Sequence, residues 1–488
     1  MHGIDIDPSA CRATELSLTL LYYALTGQFP KKLNIHNEEA IKYFGGHAEL
    51  AGAFGAVIAN PPFVKWDHLQ PEMRLRVSGL VKELSKGRPD LFLAFLQVGL
   101  GLLREGGYLL FVLPHSFLLA RNAGGLRRRI AESCWVHVLA DLSEIPVFEG
   151  IGSYVVLLIV QRRALCAEPE PTAIVVRCRE YVGRALLAAV RRRTERTDFY
   201  EVFEVDQEVF RSDPWVVLSR QQVSLRRRLK RYIQLGDIAA VRQGMVTGCD
   251  PVFVHRAEDV PAQERRVWLS FLADRDLGRY RVPRVSSRRV FYPFDGPSPL
   301  SEQVLKEKYP ETYQYLRSNR DQLASRGPVK AGRVEWWRPD QPRPAKNLLR
   351  PKLVTPHLVL KPRFAIDESG RFAVSRSPLV LCHSGVDDLV LLKYLLAVLN
   401  STVGYWQITT LSHKYRSGYA MLEVKTLRDT RVPSPSEIEP RTMMRIQRLV
   451  DKLIANSTDA QVNEELDQII ATVYELTKAE RSEVGLEQ

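Results

Sequence analysis

The chain has 488 residues, enough for two or three domains with cores of their own, and it is 45% hydrophobic with a mean hydropathy of −0.17, as globular proteins are. Its net charge is +13 at pH 7, which points to a polyanionic partner. Six scattered cysteines without a Cys-x-x-Cys argue against a zinc site or a disulfide framework, and so for no metal and a reducing compartment.

In chain order, His2 to Ile6 reads as a strand ending in Asp5-Ile6-Asp7-Pro8. A helix from Ser9 to Thr26 follows, with Ala13, Leu16, Leu20 and Tyr23 along one face and Asp7 as its cap. Met1 to Asp5 has neither the basic start nor the apolar core of a signal sequence. Leu33 to Glu39 reads as a strand with an acidic end. Ala56 to Ala59 is a short buried strand, broken at Asn60-Pro61-Pro62-Phe63. Two consecutive prolines can neither extend a ladder nor enter a helix interior, so this turn is stiff. The apolar stretch Leu91 to Leu103 reads as a helix, too short for the roughly 20 residues that span a bilayer. A cytoplasmic location and no membrane partner are therefore expected. Arg104-Glu105-Gly106-Gly107 reads as that helix's C-cap. Tyr108 to Leu113 is the next strand, Pro114-His115-Ser116-Phe117 its loop, and His115 a loop polar residue rather than a base. A basic helix around Arg127-Arg128-Arg129, a strand from Trp135 to Leu139 and a strand from Ser153 to Val160 follow.

A stiff turn at the carboxyl end of a parallel strand is where open α/β sheets place their chemistry. Asn60 and the Pro61 carbonyl offer two fixed acceptors for the hydrogens of an amine, and Phe63 a flat face for a base. Asn60-Pro61-Pro62-Phe63 resembles the catalytic motif of adenine-N6 DNA methyltransferases, and Gly3-Ile4-Asp5-Ile6-Asp7-Pro8 resembles their second motif. The order strand–acid, second acid, Pro-Pro turn is more specific than any of its parts. The resemblance implies an α/β, Rossmann-like methyltransferase sheet and S-adenosylmethionine as donor. It further implies Asp5 and Ile6 at the cofactor ribose, Glu39 at its adenine, Asn60 beside it, and catalysis by Asn60, Pro61, Pro62 and Phe63. Phe148 would stack on the flipped base opposite Phe63. The family's first strand and Gly-rich loop do not precede His2. An amino-terminally incomplete enzyme is expected on that ground, binding cofactor weakly, with a second polypeptide as one source of the loop.

The catalytic domain is expected to span residues 1–163, with a linker and basic connecting region over 164–231. Arg226, Arg227, Arg228, Lys230 and Arg231 form a dense cluster without nearby acids in the sequence, which suits phosphate contact. Val241 to Gly248 reads as a strand followed by a loop whose glycines let the backbone approach a neighbour. Residues 232–435 resemble, in the order of their segments, the α+β C-terminal specificity domain of TaqI-like restriction–modification methyltransferases. That implies double-stranded DNA as partner. Lys361, Arg363, Lys414 and Arg416, interleaved with Phe364, Tyr415 and Tyr419, are the DNA-contact candidates there. Apolar stripes through Ile446, Leu449, Val450, Leu453 and Ile454 and through Leu466, Ile469, Ile470 and Val473 predict a helical tail over 436–488, paired around Asn456 to Asp459. The competing readings are an RNA or protein-amide methyltransferase and a non-catalytic DNA-binding remnant.

Overall fold

A computed structural model describes residues 2–85, 87–147, 154–164, 169–295, 298–383, 388–410, 412, 414–415 and 419–486. The chain divides into two compact units, Met1–Ser219 and Arg220–Gln488.

The first unit opens with two parallel strands, β1 (His2–Asp5) and β2 (Asn34–Asn37), joined through α1 (Pro8–Thr26). Asp7 caps α1 by accepting the Ser9 N–H at 2.7 Å, as its position in the sequence suggests. After α2 (Ala40–Gly46) comes β3 (Phe54–Ala59), then α3 (Pro71–Val81), α4 (Leu91–Leu102) and β4 (Leu103–Pro114). The unit continues through α5 (Gly124–Ser133), β5 (Cys134–Asp141), β6 (Val155–Arg162), β7 (Ala173–Cys178), α6 (Arg184–Arg192), β8 (Glu195–Arg196) and β9 (Tyr200–Val205). The seven-stranded sheet has the order β3-β4-β6-β5-β7-β9-β8. β3 and β4 are parallel, and β6 lies antiparallel between β4 and β5.

The sheet does not stop at Arg163. β7 pairs in parallel with β5 and β9 runs antiparallel to β7, so 173–205 extends the seven-stranded sheet where the sequence suggests a linker. Both strands are mostly buried, a character overshadowed in the sequence by Glu170-Pro171 and the arginine run. Gly106 and Gly107 are a second correction. α4 passes straight into β4 at Leu103, and Gly106 takes a left-handed φ of 71° inside the strand. A Cβ on Gly107 would sit 2.9 Å from the carbonyl oxygens of Phe54 and Arg104, so glycine lets β4 close on β3 beside the register shift between Phe54 and Ala56. The glycines build the strand pair rather than cap the helix.

The second unit holds α7 (Arg220–Leu229) and a five-stranded sheet in the order 239–243, 378–382, 352–354, 365–367, 280–281. A four-stranded sheet places β10 (Val254–Arg256) at its edge, then β12 (Arg288–Phe291), β11 (Trp268–Leu272) and 373–374. α8 (Leu389–Asn400) packs against the antiparallel helices α9 (Pro440–Ala455) and α10 (Ala460–Val473), and α11 (Lys478–Val484) closes the chain. The expected helical tail is present, but its Ile446, Leu449, Leu466 and Ile470 share one core with Val241, Leu395 and Leu399, so it belongs to this unit. Gly244 meets the backbone it was expected to approach: a Cβ there would lie 1.8 Å from the Ser375 carbonyl oxygen. No single helix among the described residues is long and apolar enough to cross a membrane.

Candidate active site

β3 delivers Asn60 to the carboxyl end of the sheet, where the two prolines stop the ladder. Asn60 is exposed, Pro61 is buried and Phe63 half-buried, so the turn is anchored at its first proline and presents the amide outward. The Phe63 ring meets the edge of Phe92 at 6.4 Å and packs on the core beneath it. The chain beyond the turn is tied to the start of α4. The Val64 carbonyl accepts the Leu91 N–H at 3.0 Å, and the Asp90 carboxylate accepts the Trp66 N–H at 2.9 Å. Burial raises the Asp90 pKa, and the Trp66 N–H pulls it partly back. Arg74 adds bonds to the Trp66 and Asp67 carbonyls. Asp90 is thus a positioning residue for the turn that sequence reading missed; the signal lay in its place just before the apolar helix.

The loop after β4 ends on the same edge of the sheet. His115 is buried; its N–H bonds the Tyr154 carbonyl at 2.7 Å and its Nε2 lies 3.6 Å from Asp141 at the end of β5. His115 therefore ties two strand ends together as a loop polar residue. Burial opposes the charge on Asp141, but His115 and the Ser143 N–H bond outweigh it and hold the carboxyl well below the usual range. Phe148 lies outside the described residues.

Between β1 and β3 runs a trough of about 340 Å³, from His2 and Phe54 at the amino ends to Asp5 and Ala59 at the carboxyl ends, floored by Phe95, Gly99 and Phe111. Neither facing strand edge is paired across it, and Ile58 is 75% exposed. Asp5 lies at the carboxyl mouth, where a carboxylate can accept hydroxyl hydrogens. One of its oxygens also accepts the Asp7 N–H at 2.8 Å. Ile6 is exposed. Glu39 stands apart from the trough lining: it caps α2, each carboxylate oxygen accepting a backbone N–H, from Ile41 and Lys42, at 2.9 Å. Volume, apolar floor and one terminal acid fit part of an adenosine-sized ligand.

The basic cluster behaves differently from its reading in the sequence. Arg228 makes a bidentate pair with Glu480 at 2.8 and 2.7 Å, and Arg231 pairs with Glu475 at 2.6 Å. The acids come from about 250 positions away, which no local window reveals. Arg227 and Lys230 are exposed and Arg226 half-buried, its pKa lowered by burial. Lys361 is exposed, while Arg363 donates to the Asp274 carbonyl at 2.9 Å. Phe364 is core, not surface, and Tyr419 is exposed. The Lys414 side chain and Arg416 lie outside the described residues.

The open α/β sheet that carries the stiff Asn-Pro-Pro-Phe turn at its carboxyl end has a fold seen in a restriction–modification enzyme. Residues 1–148 match the Eco57I restriction-modification methylase family. Over 446 residues the chain is 27% identical to the type II methyltransferase M.PaeR7I of Pseudomonas aeruginosa, covering 90% of this chain and 73% of that one. It is 23% identical to M.BstVI of Geobacillus stearothermophilus, over 88% of this chain and 74% of the relative. Among solved structures, the type IIL restriction–modification enzyme MmeI in complex with DNA aligns with a TM-score of 0.63 at 12% identity. That alignment covers all of this chain and 63% of MmeI, so the chain spans under two thirds of that enzyme.

Proposed function

We propose that the protein is a site-specific DNA methyltransferase that moves a methyl group from S-adenosylmethionine to the N6 amine of adenine. The observation that carries this is the Asn60 turn: an exposed amide on a proline-fixed backbone, with a half-buried ring beside it, at the carboxyl end of β3. The exocyclic amine of adenine is a weak nucleophile because its lone pair is conjugated with the ring. The Asn60 Oδ1 and the Pro61 carbonyl accept its two hydrogens and orient the nitrogen, and Phe63 stacks on the extruded base. S-adenosylmethionine supplies the electrophilic methyl group. Asp5 would take its ribose hydroxyls at the mouth of the trough.

The unpaired edges of β1 and β3 have room for one further parallel strand, which a second polypeptide could supply to complete the cofactor site. The methyltransferase names of the curated relatives support the reaction class, and the DNA complex of MmeI supports a duplex partner. The exposed cations Arg227, Lys230 and Lys361, with the half-buried Arg226, are assigned to phosphates.

The test is transfer of labelled methyl groups to duplex DNA, followed by digestion to nucleosides. N6-methyl-2′-deoxyadenosine is the expected product; label in cytosine, RNA or protein overturns the assignment. Asn60→Ala should lower turnover by about 10²-fold or more, as lost transition-state donors and acceptors do, while DNA affinity stays within about twofold. Unchanged turnover removes Asn60 from the mechanism.

A further inference from the structure

The strongest unassigned charge cluster lies at the edge of the four-stranded sheet. β10 and β12 pair antiparallel so that Arg256 faces Arg288, and His255 faces Arg289. Like charges directly opposite each other on adjacent strands are destabilising, so the fold carries this arrangement at a cost. Arg265 adds to it. The Arg289 pKa is lowered first by burial and then by the Arg265 charge.

The acids at this surface relieve little of the repulsion. Glu258 stands 3.6 Å from Arg256, both well exposed, and Asp276 stands 3.5 Å from Arg288; neither is at hydrogen-bond distance. The side chains of Arg265 and Arg284 have no hydrogen-bond or ion-pair partner among the described residues. The residues lining the open groove include three arginines and one glutamate: Arg256, Arg265 and Arg288 against Glu258.

The short segment that leads into β12 is anchored on both sides. The Ser286 hydroxyl donates to the Phe271 carbonyl, the Arg288 N–H returns to the Ser286 oxygen at 3.0 Å, and the Ala257 N–H bonds the Ser287 carbonyl at 2.8 Å. That anchoring leaves Val285 at the tip, 81% exposed, with Arg284 beside it. An anchored loop with an apolar tip between unpaired arginines can set its cations on two phosphates and its methyl groups against a base edge.

We propose that this groove, lined by Arg256, Arg265, Val285 and Arg288, together with the exposed Arg284 next to Val285 in the chain, is a DNA-contacting surface. The assignment rests on the DNA reading above and names the face that serves it. Arg265 and Arg284 bind backbone phosphates; Val285 enters the groove of the duplex.

The experiment is the salt dependence of binding to a fluorescently labelled duplex, for the full chain and for the Arg265→Gln/Arg284→Gln variant. Both side chains are exposed and free of partners, so the urea midpoint should not move. Each phosphate contact contributes about 0.9 to the slope of log affinity against log salt. The variant's slope should therefore be shallower by about 2, with affinity lowered at least about tenfold at low salt, equally for unrelated duplexes. If the full chain binds with a steep salt dependence and the variant matches it, this groove is not the contact surface. If the full chain shows no salt-dependent binding, the DNA reading itself fails and this assignment falls with it.

Discussion

Asp141 keeps its charge in a site that disfavours charge, and the compensation has a signature in pH. Burial alone would raise its pKa; the neighbouring His115 and the Ser143 N–H bond lower it far below the ordinary 3.8. A carboxyl depressed on folding binds fewer protons folded than unfolded in the acid range. Its stabilisation is thus fully present above about pH 4 and is lost as pH falls through the folded value. Asp141→Asn removes that contribution and leaves His115 without its carboxylate partner. The expected loss is about 1–3 kcal/mol at neutral pH, the range for breaking a charged, buried hydrogen bond. Urea unfolding of both proteins between about pH 3 and pH 7 reads it directly: the gap should narrow toward the acid end. A gap that is constant with pH would mean that Asp141 acts through shape and not charge. The pair also shows a limit of sequence reading. His115 was legible as a polar loop residue, but its partner comes from the next strand but one in space, a neighbour only the sheet order supplies.

Elements differ in how openly the chain announces them. The end of the strand at Asn60 and the Asp7-capped helix were legible because two prolines and a capping aspartate act within a few residues, but Ala56 to Ala59 is half-exposed and not the buried strand its apolar run suggests. The extension of the sheet through 173–205 was not, because pairing between β5 and β7 is non-local. Glycine was misread at one place and read correctly at another. Gly244 sits in a turn, where a loop pattern and a close approach agree. Gly106 and Gly107 follow an apolar helix and mimic its cap, yet they serve the β3–β4 contact. Gly107→Ala tests that role. The new methyl group would press on the Phe54 and Arg104 carbonyl oxygens, both backbone and unable to swing away. Overpacking of this kind costs about 1–3 kcal/mol, and by displacing β3 from its amino end at Phe54 it should also disturb the strand that leads to Asn60. Chemical denaturation gives the first effect. Turnover falling with little change in DNA affinity gives the second.

At the scale of the chain, catalysis and recognition are assigned to separate units, and each unit has the core it needs. Residues 2–219 bury Leu93, Leu109, Phe111, Val156 and Trp215 in one cluster and Val176, Ala189 and Val202 in another. Residues 220–488 bury Leu353, Tyr394, Leu449 and Tyr474 in one cluster, with separate clusters around Phe271 and around Trp268 and Phe291. The bidentate Arg228–Glu480 pair joins the first helix of that unit to its last and gives the carboxylate a depressed pKa, since the Thr477 and Arg228 bonds overcome burial. A unit with its own core and its own ends tied together should fold when expressed alone. The prediction is that residues 220–488 unfold cooperatively and bind duplex DNA with a salt slope close to that of the whole chain, because the exposed cations assigned to phosphates lie within them. They should transfer no methyl group, because Asn60 does not. A fragment that folds but binds DNA without salt dependence would move the phosphate contacts to residues 2–219 and make the basic surface of the second unit a matter of solubility.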